Sequence, residues 1–386
     1  MSSVATKLLL VRFALDVQFW FPTWYFLLKF QGFSTAEAVA ADAIFHAAIL
    51  LLELPLGRLV AAIGRVRSLQ ISVLMTAVTF IALPLCSSSW VLFAVWFSWG
   101  ALWAFSSGLD TAYTWEVAES GDVKMEPHRF LALTRLVTGA SVGISLSTAG
   151  LLFELNPKFP YFATALLAIL VFPLTLKLPE PISTQKTQSV GKSHLISFLH
   201  GTPDLHQSVL LLAAALTCSI SVRILIQPVG TDYGISPSQI GIFYAVFALF
   251  VSVGSSLGAF QGKLASLKVG WSLVLMFSLL HVLVGLLVDS GTKIIWSAAL
   301  MTFCGLLFGQ VRSISEVKLS KSCVPRQRVT ILSISSAISG LAMVIVRPMI
   351  MWGYDRAGVV VGLLPVTMMG ILSALGAILI RKKVNA

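Results

Sequence analysis

Arg12, Asp16, Asp42, His46, Glu53, Asp110, Arg135, Arg223, His281, Arg312 and Arg347 stand inside otherwise apolar stretches. An ionisable group surrounded by hydrocarbon costs on the order of 2.5–3.5 kcal/mol on an insertion scale. Each must therefore pair, face a wet space or titrate. Arg12 and Asp16 are four residues apart and share one face of a helix, and a carboxylate beside a guanidinium can exchange that partner for a proton. Glu53, Asp110 and Arg135 fall at similar depth in other apolar segments. The five read either as a proton-handling network with Asp16 as its titrating member, or as buried ion pairs that fix helix packing. Asp42 and His46 repeat the four-residue spacing, which suits a proton-binding pair or a hydrogen-bonded pair facing a wet vestibule. His281 stands alone on an apolar stretch, as an interior histidine does. Arg223 and Arg347 either clamp an anionic group bidentately or pair with helix ends and with Asp232 and Asp355.

The elements that must hold these groups follow from composition. The 386 residues are 57% hydrophobic and 11% charged, against about 25% charged in a soluble domain, so the chain belongs in a bilayer. Apolar runs of about 20 residues, the length that crosses a membrane, are expected near 7–30, 36–60, 68–88, 90–113, 129–153 and 160–178. A second set is expected near 206–230, 237–261, 270–289, 293–315, 329–352 and 357–380. The polar stretch 179–205 between them reads as a flexible linker, so the expected organisation is a six-helix half over 1–178, a linker over 179–205 and a second half over 206–386. The first run follows only Lys7 and has no small-residue cleavage site, which reads as a retained helix.

The net charge of +11 suits a membrane and argues against nucleic acid. With both termini cytoplasmic, most Lys and Arg fall on the cytoplasmic side, among them Arg58, Arg65, Arg67, Lys318 and the Arg381-Lys382-Lys383 tail, while Lys29, Lys158, Lys293 and Arg356 fall opposite. Trp20, Trp24, Trp90, Trp271 and Trp352 lie toward span ends, as interfacial anchors do. Cys86, Cys218, Cys304 and Cys323 have no paired or metal-type spacing and read as small buried hydrophobes. No Walker loop, His-Glu-x-x-His, Cys-x-x-Cys or Gly-x-Ser-x-Gly occurs. Enzymatic chemistry, a metal and a cofactor are accordingly not expected.

One stretch carries a family resemblance. Glu53-Leu-Pro-Leu-Gly57-Arg58-Leu-Val-Ala61-Ala62-Ile-Gly64-Arg65-Val-Arg67 resembles the loop between helices 2 and 3 of the major facilitator superfamily, Gly-x-x-x-Asp-Arg/Lys-x-Gly-Arg/Lys-Arg/Lys. Gly57, Gly64, Arg65 and Arg67 match, and Ala61 stands where that pattern has Asp. Ser107-Gly108-Leu-Asp110-Thr-Ala-Tyr113-Thr-Trp115-Glu116 is similar to a helix-4 pattern of prokaryotic members. The two halves also echo each other: Phe105, Glu116-Val and Arg129 have counterparts in Phe308, Glu316-Val and Arg328.

The resemblance implies an all-α membrane protein of about twelve transmembrane helices in two pseudo-symmetric six-helix halves. It also implies a secondary active transporter working by alternating access in the bacterial inner membrane, in which a monomer suffices and the partners are lipids, protons and a small-molecule substrate. The drug-efflux-like branch is the nearest in type, although helix 5 carries Gly139-x-x-x-Gly143 without that branch's proline and helix 4 lacks its arginine. In this family the loop 2–3 charges close the cytoplasmic face, which assigns a gate to Gly57, Arg58, Gly64, Arg65, Arg67 and Glu116, with Asp110 and Glu53 nearby. Aromatic residues, with Trp20, Trp24, Trp103, Tyr113 and Tyr244 among them, suit a cavity for an amphipathic or lipophilic substrate, joined there by Asp42, His46, Arg223, His281 and Arg347. Proton-coupled efflux of such molecules is the leading expectation. Transport of a small organic anion or a lysolipid is the alternative.

Overall fold

The computed structural model describes residues 2–107, 109–180, 202–260, 266–289, 294–322 and 328–385, and among them it has helices and no strand. In order the helices are α1 (Ser3–Leu15), α2 (Trp24–Phe30), α3 (Thr35–Ile63), α4 (Arg65–Ala82), α5 (Ser89–Ser106), α6 (Leu109–Glu119), α7 (Pro127–Leu155) and α8 (Phe159–Thr175). After the linker come α9 (Pro203–Val222), α10 (Ile226–Asp232), α11 (Pro237–Phe260), α12 (Leu267–Asp289), α13 (Ile294–Ser322) and α14 (Arg328–Asn385). Among the described residues, nine helical segments are long and apolar enough to cross a bilayer by themselves. Read by continuity, the helices form two sets of six: α1 with α2, α3, α4, α5 with α6, α7 and α8, then α9 with α10, α11, α12, α13 and the two arms of α14. This is a multi-pass, all-helical membrane fold.

Local chemistry sets the boundaries. Ser34 and Glu37 form a capping box at the start of α3, supplying partners for N–H groups that a helix terminus leaves open. Thr202 accepts from the Leu205 N–H at the start of α9, where Pro203 adds a fixed φ. Gly64 joins α3 to α4 with φ 91° and ψ 165°, a conformation essentially confined to glycine. Gly358 repeats it inside α14 with φ 84° and ψ −172°, beside Ala357 at φ −150° and ψ 21°. That corner divides α14 at the first residues of the last expected span, just past the loop expected between 352 and 357.

The helices pack into two units, Met1–Ser189 with Gly234–Ala245, and Val190–Tyr233 with Val246–Ala386. In the first unit, Ala5, Leu8, Val11 and Ala14 form one buried stripe of α1. It belongs to a core with Leu69, Val73 and Ala77 of α4, Tyr113 and Val117 of α6, Phe130 of α7 and Ala168 and Val171 of α8. Gly100 lets α5 meet α3 closely, since a Cβ there would fall on the Phe45 carbonyl and 2.7 Å from the Ala48 Cβ. The first turns of α11 also pack here: Gly150 of α7 lies against the Pro237 backbone, and Glu154 accepts from the Ser238 N–H (3.1 Å) and its hydroxyl. In the second unit α9 packs on α13 and α14, and Leu205, Val209 and Leu212 meet Leu319.

Three expectations change on inspection. The first span is two short helices with an unwound stretch, Asp16 to Thr23, between them. The fourth is divided after Ser106, and the seventh passes through a 3-10 turn at Arg223–Leu225. The breaks hold Asp16, Gln18 and Pro22 in the first span, Ser107 in the fourth and Arg223 in the seventh, but a window of span length averages them with the apolar helices on either side. Of the linker, only Pro179, Glu180 and the entry into α9 lie within the described residues. Trp90 and Trp352 are well exposed, as anchors are, whereas Trp24 and Trp271 are buried. Cys86, Cys218 and Cys304 are buried free thiols, and Cys323 lies outside the described residues.

Candidate functional site

The break in the first span organises the charged groups of the first unit. Asp16 caps α1, and its two carboxylate oxygens accept from Arg12 Nη2 at 2.9 and 2.8 Å. Both side chains are largely buried, at 11% and 18% exposure, where an ion pair is stable only if its remaining hydrogen-bonding capacity is also met. Thr138 of α7 donates to the same carboxylate at 2.5 Å.

One and two turns along α7, Ser141 donates to the Phe13 carbonyl at 2.6 Å and Ser145 accepts from the Gln18 N–H at 2.8 Å. Thr138, Ser141 and Ser145 therefore form a hydroxyl ladder on one helix face, and it replaces backbone hydrogen bonds that α1 gives up where it ends. Non-helical backbone at membrane depth persists only where such partners or water are at hand. On the far side of the break Thr23 donates to Phe19 or Trp20 and meets the Tyr161 hydroxyl. The ladder was legible as Thr-x-x-Ser-x-x-x-Ser in α7, but nothing in α7 alone says what it serves. Gln18, an uncharged amide, gives no sign in the sequence of the partner that holds its N–H.

An aromatic shell surrounds the unwound stretch. Trp20 packs edge-on to Trp99 at 4.3 Å between centroids and also meets Phe21 and Phe80. Trp99 continues to Phe45 and Trp96. Of the aromatic residues expected to line a cavity, Trp20 is half-buried and Trp103 is 47% exposed. Trp24, Tyr113 and Tyr244 are almost wholly buried: Trp24 against Trp96, Tyr244 against Phe21, and Tyr113 in the core with its hydroxyl donating to the Pro179 carbonyl at 2.9 Å. On α3, Asp42, His46 and Glu53 fall on one face, and the imidazole of His46 stands 3.9 Å from the Asp42 carboxylate and edge-on to Phe45.

A second cluster gathers at the α3–α4 corner. Arg65 makes a two-point contact with Glu116 of α6, Nε at 3.2 Å and Nη2 at 3.1 Å. Its own backbone N–H and that of Val66 donate to Glu180 at 2.6 and 3.0 Å. Glu180 so caps α4 across Gly64, a role invisible when the residue is read as part of a linker. Arg58 and Arg67 are exposed, and no described ion pair reaches them. Gly57 has open space where a Cβ would stand. Glu53 lies 3.5 Å from the Ser107 hydroxyl, at the limit of a hydrogen bond. Arg135 is exposed one turn from Thr138. The side chain of Asp110 lies outside the described residues.

The second unit has a break of its own. Arg223 caps α9 and opens the 3-10 turn. Arg347 of α14, buried at 6% exposure, donates to the Ile220 carbonyl at 2.8 Å. Ser335 donates to the Val209 carbonyl, and Thr217 meets Ser339, all along the α9–α14 seam. His281 is buried at 1% exposure on α12 with its ring against Phe277 at 4.3 Å. Asp289 accepts from the N–H groups of Val359 and Val360 at 2.8 and 2.9 Å, just past Gly358.

A family model described as Major Facilitator Superfamily matches residues 8–346. No curated protein matches. Among solved structures, a mutant of the nucleoside transporter NupG superposes with a TM-score of 0.76 at 13% identity, covering 98% of this chain and 100% of that one. NupG without that mutation gives 0.75 at 14% identity, covering 98% and 99%. A bacterial homolog to the human lysosomal transporter Spinster, in an inward-facing and occupied conformation, gives 0.73 at 13% identity, covering 98% and 96%. At these identities the likeness is one of fold.

Proposed function

The chain belongs to the major facilitator superfamily, and on that premise we propose that it is a proton-coupled transporter that exports amphipathic small molecules by alternating access. Membrane transport is the family's business. The coupling ion, the direction and the substrate are the proposal. What carries it is the Arg12–Asp16–Thr138 arrangement at the break of the first span. An ionised Asp16 holds Arg12 and receives the Thr138 hydroxyl. A proton arriving at the carboxylate removes its charge, releases Arg12 of the same helix and weakens the Thr138 contact that ties the end of α1 to α7. Loss of the proton to the other face restores the pair. A group that alternates between a guanidinium and a proton converts a proton gradient into two arrangements of one helix.

In this reading the Arg65–Glu116 pair and the Glu180 cap close the cytoplasmic ends of α4 and α6. Trp20 and Phe21, half-buried members of the aromatic shell, take the apolar part of the substrate. Both termini lie in the cytoplasm, the membrane is a bacterial inner membrane, and a monomer suffices. The anion alternative weakens because Arg347 is already engaged with the Ile220 carbonyl.

The test uses inside-out vesicles or proteoliposomes with the dye Hoechst 33342 as amphipathic probe and an imposed pH gradient. Wild-type protein is expected to move the dye in an uncoupler-sensitive way. Asp16→Asn is expected to abolish gradient-driven movement while keeping dye exchange. Gradient-driven movement at wild-type rate in that variant removes Asp16 as the proton carrier.

A further inference from the structure

The unwound stretch leaves hydrogen-bonding groups open on its half-buried residues. Among the described residues, no hydrogen bond takes the Leu15 carbonyl, the N–H groups of Phe19 and Trp20, or either end of the Gln18 side-chain amide, although the Gln18 N–H is held by Ser145. Midway through a bilayer each such group costs free energy comparable to a lost hydrogen bond unless water or a ligand meets it. Gln18, Phe19 and Trp20 are all partly exposed, so their polar atoms can be reached. Donors and acceptors are both present, and the adjacent charges, Arg12 and Asp16, neutralise each other. The surroundings are aromatic and include the half-buried indole of Trp20.

This combination selects a chemistry. An acceptor and several donors that carry no charge match a neutral group offering both, such as an amide or imide edge. An indole beside them matches a flat ring. We propose that the segment from Asp16 to Thr23 is a recognition site for an uncharged, planar heteroaromatic amide, with Gln18 reading its polar edge and Trp20 meeting its ring. The site deepens the transporter reading and rests on it, since a membrane-depth loop with open polar groups makes sense where it faces a substrate path. It names the polar half of the amphipathic substrate class. Gln18 discriminates because a ligand that covers its amide without pairing with it shuts the amide off from water at a cost, whereas a hydrocarbon ring makes no use of it.

The experiment measures equilibrium binding to purified full-length protein in nanodiscs, without any gradient, so its outcome is independent of whether Asp16 carries a proton. The probes are uracil, nicotinamide and theophylline, with naphthalene as a flat ring lacking a polar edge. Wild-type protein is expected to bind at least one heteroaromatic probe. Gln18→Leu is expected to weaken that binding about tenfold while leaving naphthalene within about twofold, and Gln18→Asn, which keeps the amide, to recover part of the loss. Trp20→Ala is expected to weaken every probe that binds. Failure of all three heteroaromatic probes to bind overturns the proposal. So does unchanged binding in Gln18→Leu, or a loss that falls equally on naphthalene.

Discussion

The two broken spans, one in each packing unit, are the same device built with opposite chemistry. An offset of 207 residues carries Asp16, the cap of α1, onto Arg223, the cap of α9, and carries Phe13 onto Ile220. An offset of 206 carries Ser141 of α7 onto Arg347 of α14, and these two side chains donate to the Phe13 and Ile220 carbonyls respectively. In the first unit the broken backbone is held by neutral hydroxyls beside a carboxylate. In the second it is held by the Arg347 guanidinium. In the proposed reading the first arrangement changes state with a proton, and the second is a fixed strut. The inner repeat shows the same divergence. Glu116 pairs with the distant Arg65, whereas Glu316 pairs with Arg312 one turn away on its own helix.

The largest test of that contrast neutralises each cap in turn. Asp16→Asn is expected to reduce gradient-driven dye movement to the level of protein-free vesicles. Arg223→Gln is expected to keep it uncoupler-sensitive, at whatever rate the substrate still moves. If Arg223→Gln uncouples transport and Asp16→Asn does not, the titrating unit has been assigned to the wrong half.

Stability should divide the units in the other direction. Arg347→Ala removes a buried cationic donor and leaves the Ile220 carbonyl without that partner, so a loss of about 3 kcal/mol is expected. Thermal unfolding of the detergent-solubilised protein measures it, and Arg347→Lys should recover part of the loss because an ammonium still reaches a carbonyl. A loss below about 1 kcal/mol would mean that Arg347 is no strut.

How much of this was legible beforehand depends on what each residue's neighbours are. The apolar runs, the helical class and the Arg12–Asp16 and Asp42–His46 pairs follow from composition and four-residue spacing, which are local properties. The Arg65–Glu116 contact joins α4 to α6 and was legible through the family resemblance alone. The breaks were missed because a window of span length averages Asp16, Gln18 and Pro22 with the apolar residues around them, although Pro22 among polar residues is a local sign of an interrupted helix. The partners that make the breaks tolerable, Ser141 and Ser145, lie more than 120 residues away in sequence. Glu180 sits in a polar stretch whose composition says linker, and only the fold brings its carboxylate to Gly64.

The two glycine corners sharpen the comparison at a smaller scale. Gly64 and Gly358 share nearly one backbone conformation, and an added Cβ would stand 2.8 Å from a Glu180 oxygen and 2.9 Å from an Asp289 oxygen. Each corner lets a carboxylate from elsewhere cap the next two N–H groups. Gly64→Ala and Gly358→Ala are each expected to cost about 2 kcal/mol, from the strained conformation and a displaced cap. Only Gly64→Ala should also loosen the Arg65–Glu116 pair and change transport rate. Equal effects of the two on rate would dissolve the distinction between a gate corner and a passive one.

The smallest expected effect falls on the hydroxyl ladder, and it separates a mobile joint from a rigid one. Ser141→Ala removes one hydrogen bond to the Phe13 carbonyl, which is worth about 1 kcal/mol, less than Arg347→Ala because water admitted at a wet break can replace a hydroxyl. Ser145→Ala should cost about the same. Because both residues hold the same unwound stretch, the double variant should depart from additivity. If the break is a joint that opens during the cycle, these variants lower stability slightly yet leave turnover unchanged or faster, since the contacts removed are ones the cycle must break. If the break is static, turnover falls in step with stability. Turnover and unfolding measured together on Ser141→Ala, Ser145→Ala and the double variant decide between the two, and the same pair of measurements on Arg347→Ala supplies the rigid reference.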